Sequence, residues 1–132
     1  MKMAVQRKEM AENKDASKND APLDFPSALE RVGGDEPFLE ELLNLYFEDF
    51  REKYNQLQKA VEGKNFNSIR ELGHGLKGSS ANLSLNFLQA ASSQMEESGK
   101  EMNIEKAKAT LALLDKEFEI LKDYLSGKKA RL

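Results

Sequence analysis

The chain has 132 residues, 39% hydrophobic and 33% charged, with a formal net charge of −3 and no cysteine. That length suits one compact domain plus some unfolded sequence, because a single core serves roughly 100 to 150 residues. The lack of cysteine excludes disulfide frameworks, thiol chemistry and cysteine-based zinc sites and points to a reducing cytoplasm, interspersed charges leave no basic stripe for nucleic acid, and no apolar run approaches the roughly 18 residues of a membrane span.

Residues 1–21 are polar, with five basic against four acidic side chains and hardly any apolar periodicity, the composition of an unfolded tail and not of a secretory signal. The folded domain is expected over residues 22–126, with a second short tail at 127–132. A short helix is expected from Phe25 to Val32, with Pro26 in its first turn and Gly33-Gly34 ending it. Asp35 reads as the N-cap of a long helix whose stripe is Leu39, Leu42, Leu43, Tyr46, Phe50, Tyr54, Leu57 and Val61, and which stops at Gly63. Asn65 caps the next, with Phe66, Ile69, Leu72, Leu76 and Leu83 inward and Ser79 and Ser80 as small packing residues. After a break near Ser84, a further helix turns Leu85, Leu88, Ser92 and Met95 inward and is expected to end at Gly99 in a left-handed cap. Asn103 restarts the chain, and Ile104, Ala107, Leu111, Leu114, Phe118, Leu121 and Leu125 form the last stripe, ending at Gly127. Four long helices with short connections predict an all-α protein: an antiparallel up-down-up-down four-helix bundle with a short additional N-terminal helix.

His74 is the only histidine, which rules out arrangements needing two. Alone, it reads by default as a surface residue without a role. Leu72 and Leu76 lie two positions to either side, about 200° around the helix, so burying them turns the imidazole to solvent. On its own face lie Arg70 one turn before, Lys77 and Gly78 one turn after and Ala81 two turns after. Lys77 is close enough to offset the charge of a phosphoryl group on the ring, although a solvated lysine would look the same. Gly73, Gly75 and Gly78 each cost about 1 kcal/mol relative to alanine in a helix; steric access to His74 accounts for Gly78. In a hairpin turning near Leu85, Glu96 comes level with His74, where a carboxylate can accept the Nδ1 proton and leave Nε2 nucleophilic. Taken by itself, Glu96 reads as a solvated surface residue. Leu85, Phe87 and Leu88 could add an apolar patch, with core packing the default for Leu85 and Leu88.

The run His74-Gly75-Leu76-Lys77-Gly78-Ser79-Ser80-Ala81-Asn82 resembles the signature H-x-L-K-G-S-[SA] of histidine-containing phosphotransfer domains. The similarity takes in Ala28 to Asp35, Phe38 to Leu43, and Met95-Glu96 with Gly99, covering roughly Pro22 to Leu125. Two positions depart from it: Ser84 stands where glycine is common, and Gly73 where alanine is usual. The resemblance implies a four-helix bundle whose exposed histidine is phosphorylated on Nε2 by a receiver aspartate or returns the group to one. It implies charge compensation for Lys77, partner access for Gly78 and imidazole orientation for Glu96, with Arg70 and Ala81 on the docking surface.

The expected protein is therefore a cytoplasmic phosphocarrier with no nucleotide site, metal or cofactor of its own, the magnesium ion being supplied by the receiver. Its expected partners are the receiver domains of a hybrid sensor histidine kinase and of a response regulator, with no nucleic acid, no membrane insertion and a monomeric state. A helical adaptor without phosphotransfer is the alternative, and phosphorylation by an active receiver separates the two. A third possibility is the phosphoacceptor module of a chemotaxis-type kinase.

Overall fold

The computed structural model describes residues 21–131, with side chains described to residue 127. Among the described residues five helices follow in order: α1 Phe25–Arg31, α2 Glu36–Glu62, α3 Phe66–Asn82, α4 Asn86–Lys100 and α5 Ile104–Arg131. There is no strand among the described residues. The fold expected from the apolar stripes is the one observed, an antiparallel four-helix bundle of α2 to α5 with α1 as the short extra helix. The polar tail expected at the N-terminus lies, up to residue 20, outside the described residues.

Side chains start four of these five helices, at Asp35, Asn65 and Asn103 as the sequence marks them and also at Asp24, while α4 starts at Leu85 without a side-chain cap. The carboxylate of Asp24 accepts from the Ser27 amide at 3.2 Å, that of Asp35 from Phe38 at 3.1 Å, and the side-chain oxygens of Asn65 and Asn103 from Ser68 and Lys106 at 3.2 and 3.0 Å. Each satisfies an amide that has no partner inside the helix, worth about 1 kcal/mol.

The helix ends follow one rule that differs from the glycine rule read in the sequence. In α1 to α4 the chain leaves through a pair of bonds. For α2 these run from Lys64 to Val61 at 3.1 Å and from Asn65 to Ala60 at 2.8 Å; for α4, from Met102 to Gly99 at 3.2 Å and from Asn103 to Ser98 at 2.9 Å. This is the Schellman closure, with a left-handed residue just past the cap. Glycine fills that position only at Gly33, φ 67°; elsewhere it is Lys64, Ser84 and Met102, φ 53–58°. The break at Ser84 is thus real, whereas Gly99 is not a cap: α4 continues to Lys100, with Glu101 capping it. The last helix likewise runs through Gly127 to Arg131. A glycine ends a helix by turning left-handed, and one that keeps helical angles merely weakens it by about 1 kcal/mol.

The core is the meeting of the four stripes: Leu39, Leu43, Tyr46, Phe50 and Leu57 of α2, Ile69 and Leu76 of α3, Leu88 and Met95 of α4, and Ala107, Leu114, Phe118 and Leu121 of α5. Each fully buried leucine contributes about 1.5–3 kcal/mol. Between α2 and α5 the filling is aromatic, with Phe118 stacked on Phe50 at 4.1 Å and edge-on to Phe47 at 5.5 Å. The α1 helix closes one end of the bundle, where the Asp24 amide donates to the Ser84 carbonyl at 3.0 Å and the Ser84 hydroxyl to that of Ser27 at 3.0 Å.

Candidate functional site

His74 occupies the middle of α3, and the buried positions of that helix, Ile69, Gly73, Leu76 and Ser80, fall at steps of four, three and four. That stripe faces the core, and the tyrosine hydroxyl of Tyr46 seals it by bonding the Ser80 hydroxyl at 2.8 Å. Burial pushes the Tyr46 phenol up, so it stays neutral in the core. His74 points the other way, its side chain 68% exposed. Leu72, one of the two leucines from which that orientation is read in the sequence, is only half-buried; the tight face comes from Gly73 and Leu76.

Two glycines set the spacing of α3 and α4. A Cβ on Gly73 would lie 2.5 Å from the Glu96 amide nitrogen and 2.9 Å from its Cα, and one on Gly99 would lie 2.5 Å from the Arg70 nitrogen and 2.8 Å from its Cα. Backbone cannot yield as a side-chain tip can, so only glycine lets the helices approach this closely. The two contacts are reciprocal, one glycine from each helix, and on α3 they fall at Gly73, directly before the histidine, and at Arg70, one turn earlier.

That approach brings Glu96, buried at its place on α4, to the edge of the imidazole. His74 Nδ1 lies 3.0 Å from Glu96 Oε2, Lys77 Nζ lies 2.7 Å from Oε1, and Lys100 Nζ lies 3.7 Å from Oε2. The ammonium of Lys77, bonded to it, holds the Glu96 carboxyl below the usual carboxylate range against the opposing effect of burial, with smaller help from His74 and Lys100. An ionised carboxylate only accepts, so the neutral imidazole carries its proton on Nδ1 and the lone pair of Nε2 faces solvent. The site is therefore an exposed nitrogen nucleophile whose other ring nitrogen is fixed, beside a cation.

The remaining expected residues fall as follows. A Cβ on Gly78 would meet nothing within 4 Å, and one on Gly75 only Lys53 Cε at 3.5 Å. Arg70 and Ala81 are half-buried on the same helix; the Arg70 guanidinium donates to Asn67 Oδ1 at 2.9 Å and lies 3.8 Å from Glu71. Leu85, Phe87 and Leu88 are all buried, so the suggested patch past the turn is core. Ser79 is half-buried and donates to the Gly75 and Leu76 carbonyls, both at 3.2 Å. No cluster of metal-ligating side chains occurs among the described residues.

A profile of the Hpt domain matches residues 41–124. The chain belongs to the Hpt domain family. The Hpt domain is 30% identical over 115 residues to multistep phosphorelay regulator 1 of Schizosaccharomyces pombe, covering 82% of this chain and 39% of that protein. The chain thus spans well under half of that relative. The crystal structure of histidine-containing phosphotransfer protein B from Pseudomonas aeruginosa PAO1 shares the fold, with a TM-score of 0.75 at 22% identity over 84% of this chain and 96% of that one. Members of this family are carriers of the phosphoryl group, and receiver domains are their general partners. No described helix of this Hpt domain is long and apolar enough to cross a membrane.

Sequence reasoning missed three features of the site. The Lys77–Glu96 pair spans two helices and has no sequence signature. Lys100, at i+4 from Glu96, could have been found from that spacing. Gly99 reads as a terminator only because helix-breaking is the commoner reason for a glycine there.

Proposed function

We propose that His74 is the phosphoacceptor, with Lys77, Gly78 and Glu96 serving its chemistry. The single observation that carries this is the 3.0 Å contact of Nδ1 with the Glu96 carboxylate on a side chain that is 68% exposed; in the neutral ring that contact holds the proton on Nδ1 and leaves the Nε2 lone pair free. In the transfer, the Nε2 lone pair attacks the phosphorus of a receiver aspartyl phosphate, the N–P bond forms and the Oδ–P bond breaks. The carboxylate leaves with the bonding pair, while the Nδ1 proton stays against Glu96. In the return step the Nδ1 proton makes the leaving group a neutral imidazole, and Lys77 offsets charge on the phosphoryl oxygens.

The partners are the receiver domains of a hybrid sensor kinase and of a response regulator, met in the cytoplasm by a monomer. The receiver supplies the aspartate and the magnesium ion, and the chain adds no catalysis of its own. Gly78 leaves a receiver free to close on the imidazole, and Arg70 and Ala81 extend the contact along α3. Replacing His74 by Gln tests the assignment: phosphoryl acceptance should vanish with helicity and melting temperature nearly unchanged, since the side chain lies outside the core. The wild-type label should be lost in acid and kept in alkali, as for a phosphoramidate. Labelling retained in H74Q, or an acid-stable label, refutes it.

A further inference from the structure

The seam between α2 and α5, which carries none of the residues of the histidine site, holds open a cleft of about 280 Å³. Its floor is apolar, built from Leu39, Leu43 and Phe47 of α2, Leu125 of α5, and Leu23 and Phe25 beside the start of α1. Phe118, stacked on Phe50 at 4.1 Å and edge-on to Phe47 at 5.5 Å, holds the two helices apart at one end of it. Close-packed domains leave few voids larger than one water, about 30 Å³ of liquid, so an apolar cleft of this size stands out.

The two ends of the cleft differ in charge. At one end Arg51 and Lys122 come together over the Phe118 ring, 5.9 and 5.5 Å from its centroid, and both line the cleft. Like charges gathered in this way repel, and an anion between them relieves the repulsion. Lys122 donates to Glu119 at 3.2 Å, whereas Arg51 forms no ion pair among the described residues. The carboxylates of Asp115 and Glu119 line the neighbouring recess and not this cleft. At the other end stand Glu36 and Glu40. Glu36 lies in the first turn of α2, where the positive end of the helix dipole offsets its charge, and Glu40 is already partnered. From Leu39 to Arg51 the cleft follows α2 for roughly 18 Å.

We propose that this cleft binds a free medium-chain aliphatic carboxylate, its alkyl chain over Leu39, Leu43, Phe47 and Leu125 and its head group on Arg51 and Lys122. The volume lies just under the roughly 300–1,000 Å³ of ligand pockets, which is room for one alkyl chain and not for a two-chain lipid or a nucleotide. A protein partner would need a continuous surface of roughly 800 Å². Here the apolar floor is narrow and rimmed by exposed Glu36, Glu40, Asn44 and Arg51. The exposed large hydrophobic side chains Phe38, Leu45 and Met102 all lie off the cleft, so its apolar surface does not continue outward. A guanidinium can hold a carboxylate through two parallel hydrogen bonds, and the acidic end repels one, so the chain lies in a single direction. None of this depends on which residue accepts the phosphoryl group.

The test titrates the full chain with octanoate, decanoate and decylammonium, at concentrations where none self-associates, by calorimetry and by amide chemical shifts. Decanoate should bind once per chain and about tenfold or more tightly than octanoate, because each buried methylene is worth about fourfold, with the shifts centred on Leu43, Phe47 and Leu125. Decylammonium, the same chain with the opposite charge, should bind about fivefold or more weakly, the size expected of a partly solvated ion pair turned into a repulsion. Arg51→Gln combined with Lys122→Gln should erase that preference, and Leu125→Trp, which fills the cleft, should abolish binding. Helicity, and labelling by phosphoramidate, a small phosphoryl donor that needs no docking, show that each variant is folded; the charge variant leaves the apolar floor intact and decides the matter even if L125W unfolds. Absence of saturable binding, equal affinity for decylammonium, or decanoate still bound by folded L125W overturns the proposal. So do shifts centred on residues 1–20, which would make that segment the occupant, and a dimer that decanoate disperses, which would make it a second copy.

Discussion

The seam between α3 and α4 and the seam between α2 and α5 are packed on opposite plans. Across the first, backbone touches backbone at Gly73 and Gly99. Across the second, stacked phenylalanines hold the helices apart, and a cleft of about 280 Å³ opens beside them, lined by Leu39, Leu43, Phe47 and Leu125 among others. The imidazole and its carboxylate sit on the close seam. A hydrogen bond between side chains of two helices is held to a few tenths of an ångström only if the backbones cannot shift, and glycine contacts provide that rigidity while large side chains can re-pack. The aromatic seam supplies stability, and the glycine seam supplies position.

Breaking each seam should separate these two roles. Phe118→Ala removes a buried ring that stacks on Phe50 and should cost about 3–5 kcal/mol of stability. Phosphotransfer per folded molecule should stay near wild type, and the milder Phe118→Leu keeps this measurable should the alanine variant unfold. Gly99→Ala adds one methyl group. It gains about 1 kcal/mol of helix propensity, yet a Cβ 2.5 Å from the Arg70 nitrogen must push the helices apart, and overpacking of this kind costs about 1–3 kcal/mol. A net loss of stability is expected in thermal melts, with transfer falling tenfold or more as the His74–Glu96 contact opens. If G99A transfers normally while F118L does not, the division of labour is reversed.

The same contrast explains what the sequence disclosed. Stripes of leucine and phenylalanine at steps of three and four mark every helix of the bundle, because burial of large side chains repeats along the chain and needs no knowledge of the partner. His74 and its exposure follow from the same periodicity. Contacts between backbones leave no such trace: Gly73 looks like an anomaly before the histidine and Gly99 like a stop, since glycine as a terminator and glycine as a close contact are spelled alike. The cap positions show the limit from the other side. Lys64 and Met102 take the left-handed conformation that glycine would favour, because the two closing hydrogen bonds outweigh a penalty of about 1–2 kcal/mol. Glu96 was readable only through hairpin arithmetic and the family resemblance, and its bond to Lys77 not at all.

Gly78 sharpens the comparison, being a glycine on the histidine helix with open space around its Cβ position. Unlike Gly73, it can be replaced without a clash. Gly78→Gln should stabilise the free protein by about 0.5–1 kcal/mol through helix propensity and lost unfolded-state freedom, a rise of roughly 2–8 °C in a domain of this size. Transfer from a receiver should drop by an order of magnitude or more, because a side chain one turn from His74 holds the donor aspartate away and small misplacements can cost about a hundredfold. Acceptance from phosphoramidate should change less. A destabilised G78Q would show that this glycine, like its neighbour, serves packing.

The smallest expected effect concerns the charge at the centre of the close seam. Folding lowers the pKa of Glu96, mainly through the bonded ammonium of Lys77. A carboxyl with a lowered folded pKa contributes stability that is fully present above its unfolded value, about 4.3, and is lost as the pH falls through the folded value. Glu96→Gln keeps the shape and can still accept from Nδ1 through its carbonyl, but it cannot titrate. Its stability should therefore lie below wild type near neutral pH, and the two curves should converge on acidification below about pH 4. The gap should be under about 1 kcal/mol, since Lys77 and Lys100 retain contact with water. Denaturant melts taken from pH 7 down to pH 3 measure it. Parallel acid limbs would mean that Glu96 holds no more charge-dependent stability folded than unfolded, and Lys77 would then lose its standing as the partner that keeps the carboxylate ionised beside the imidazole.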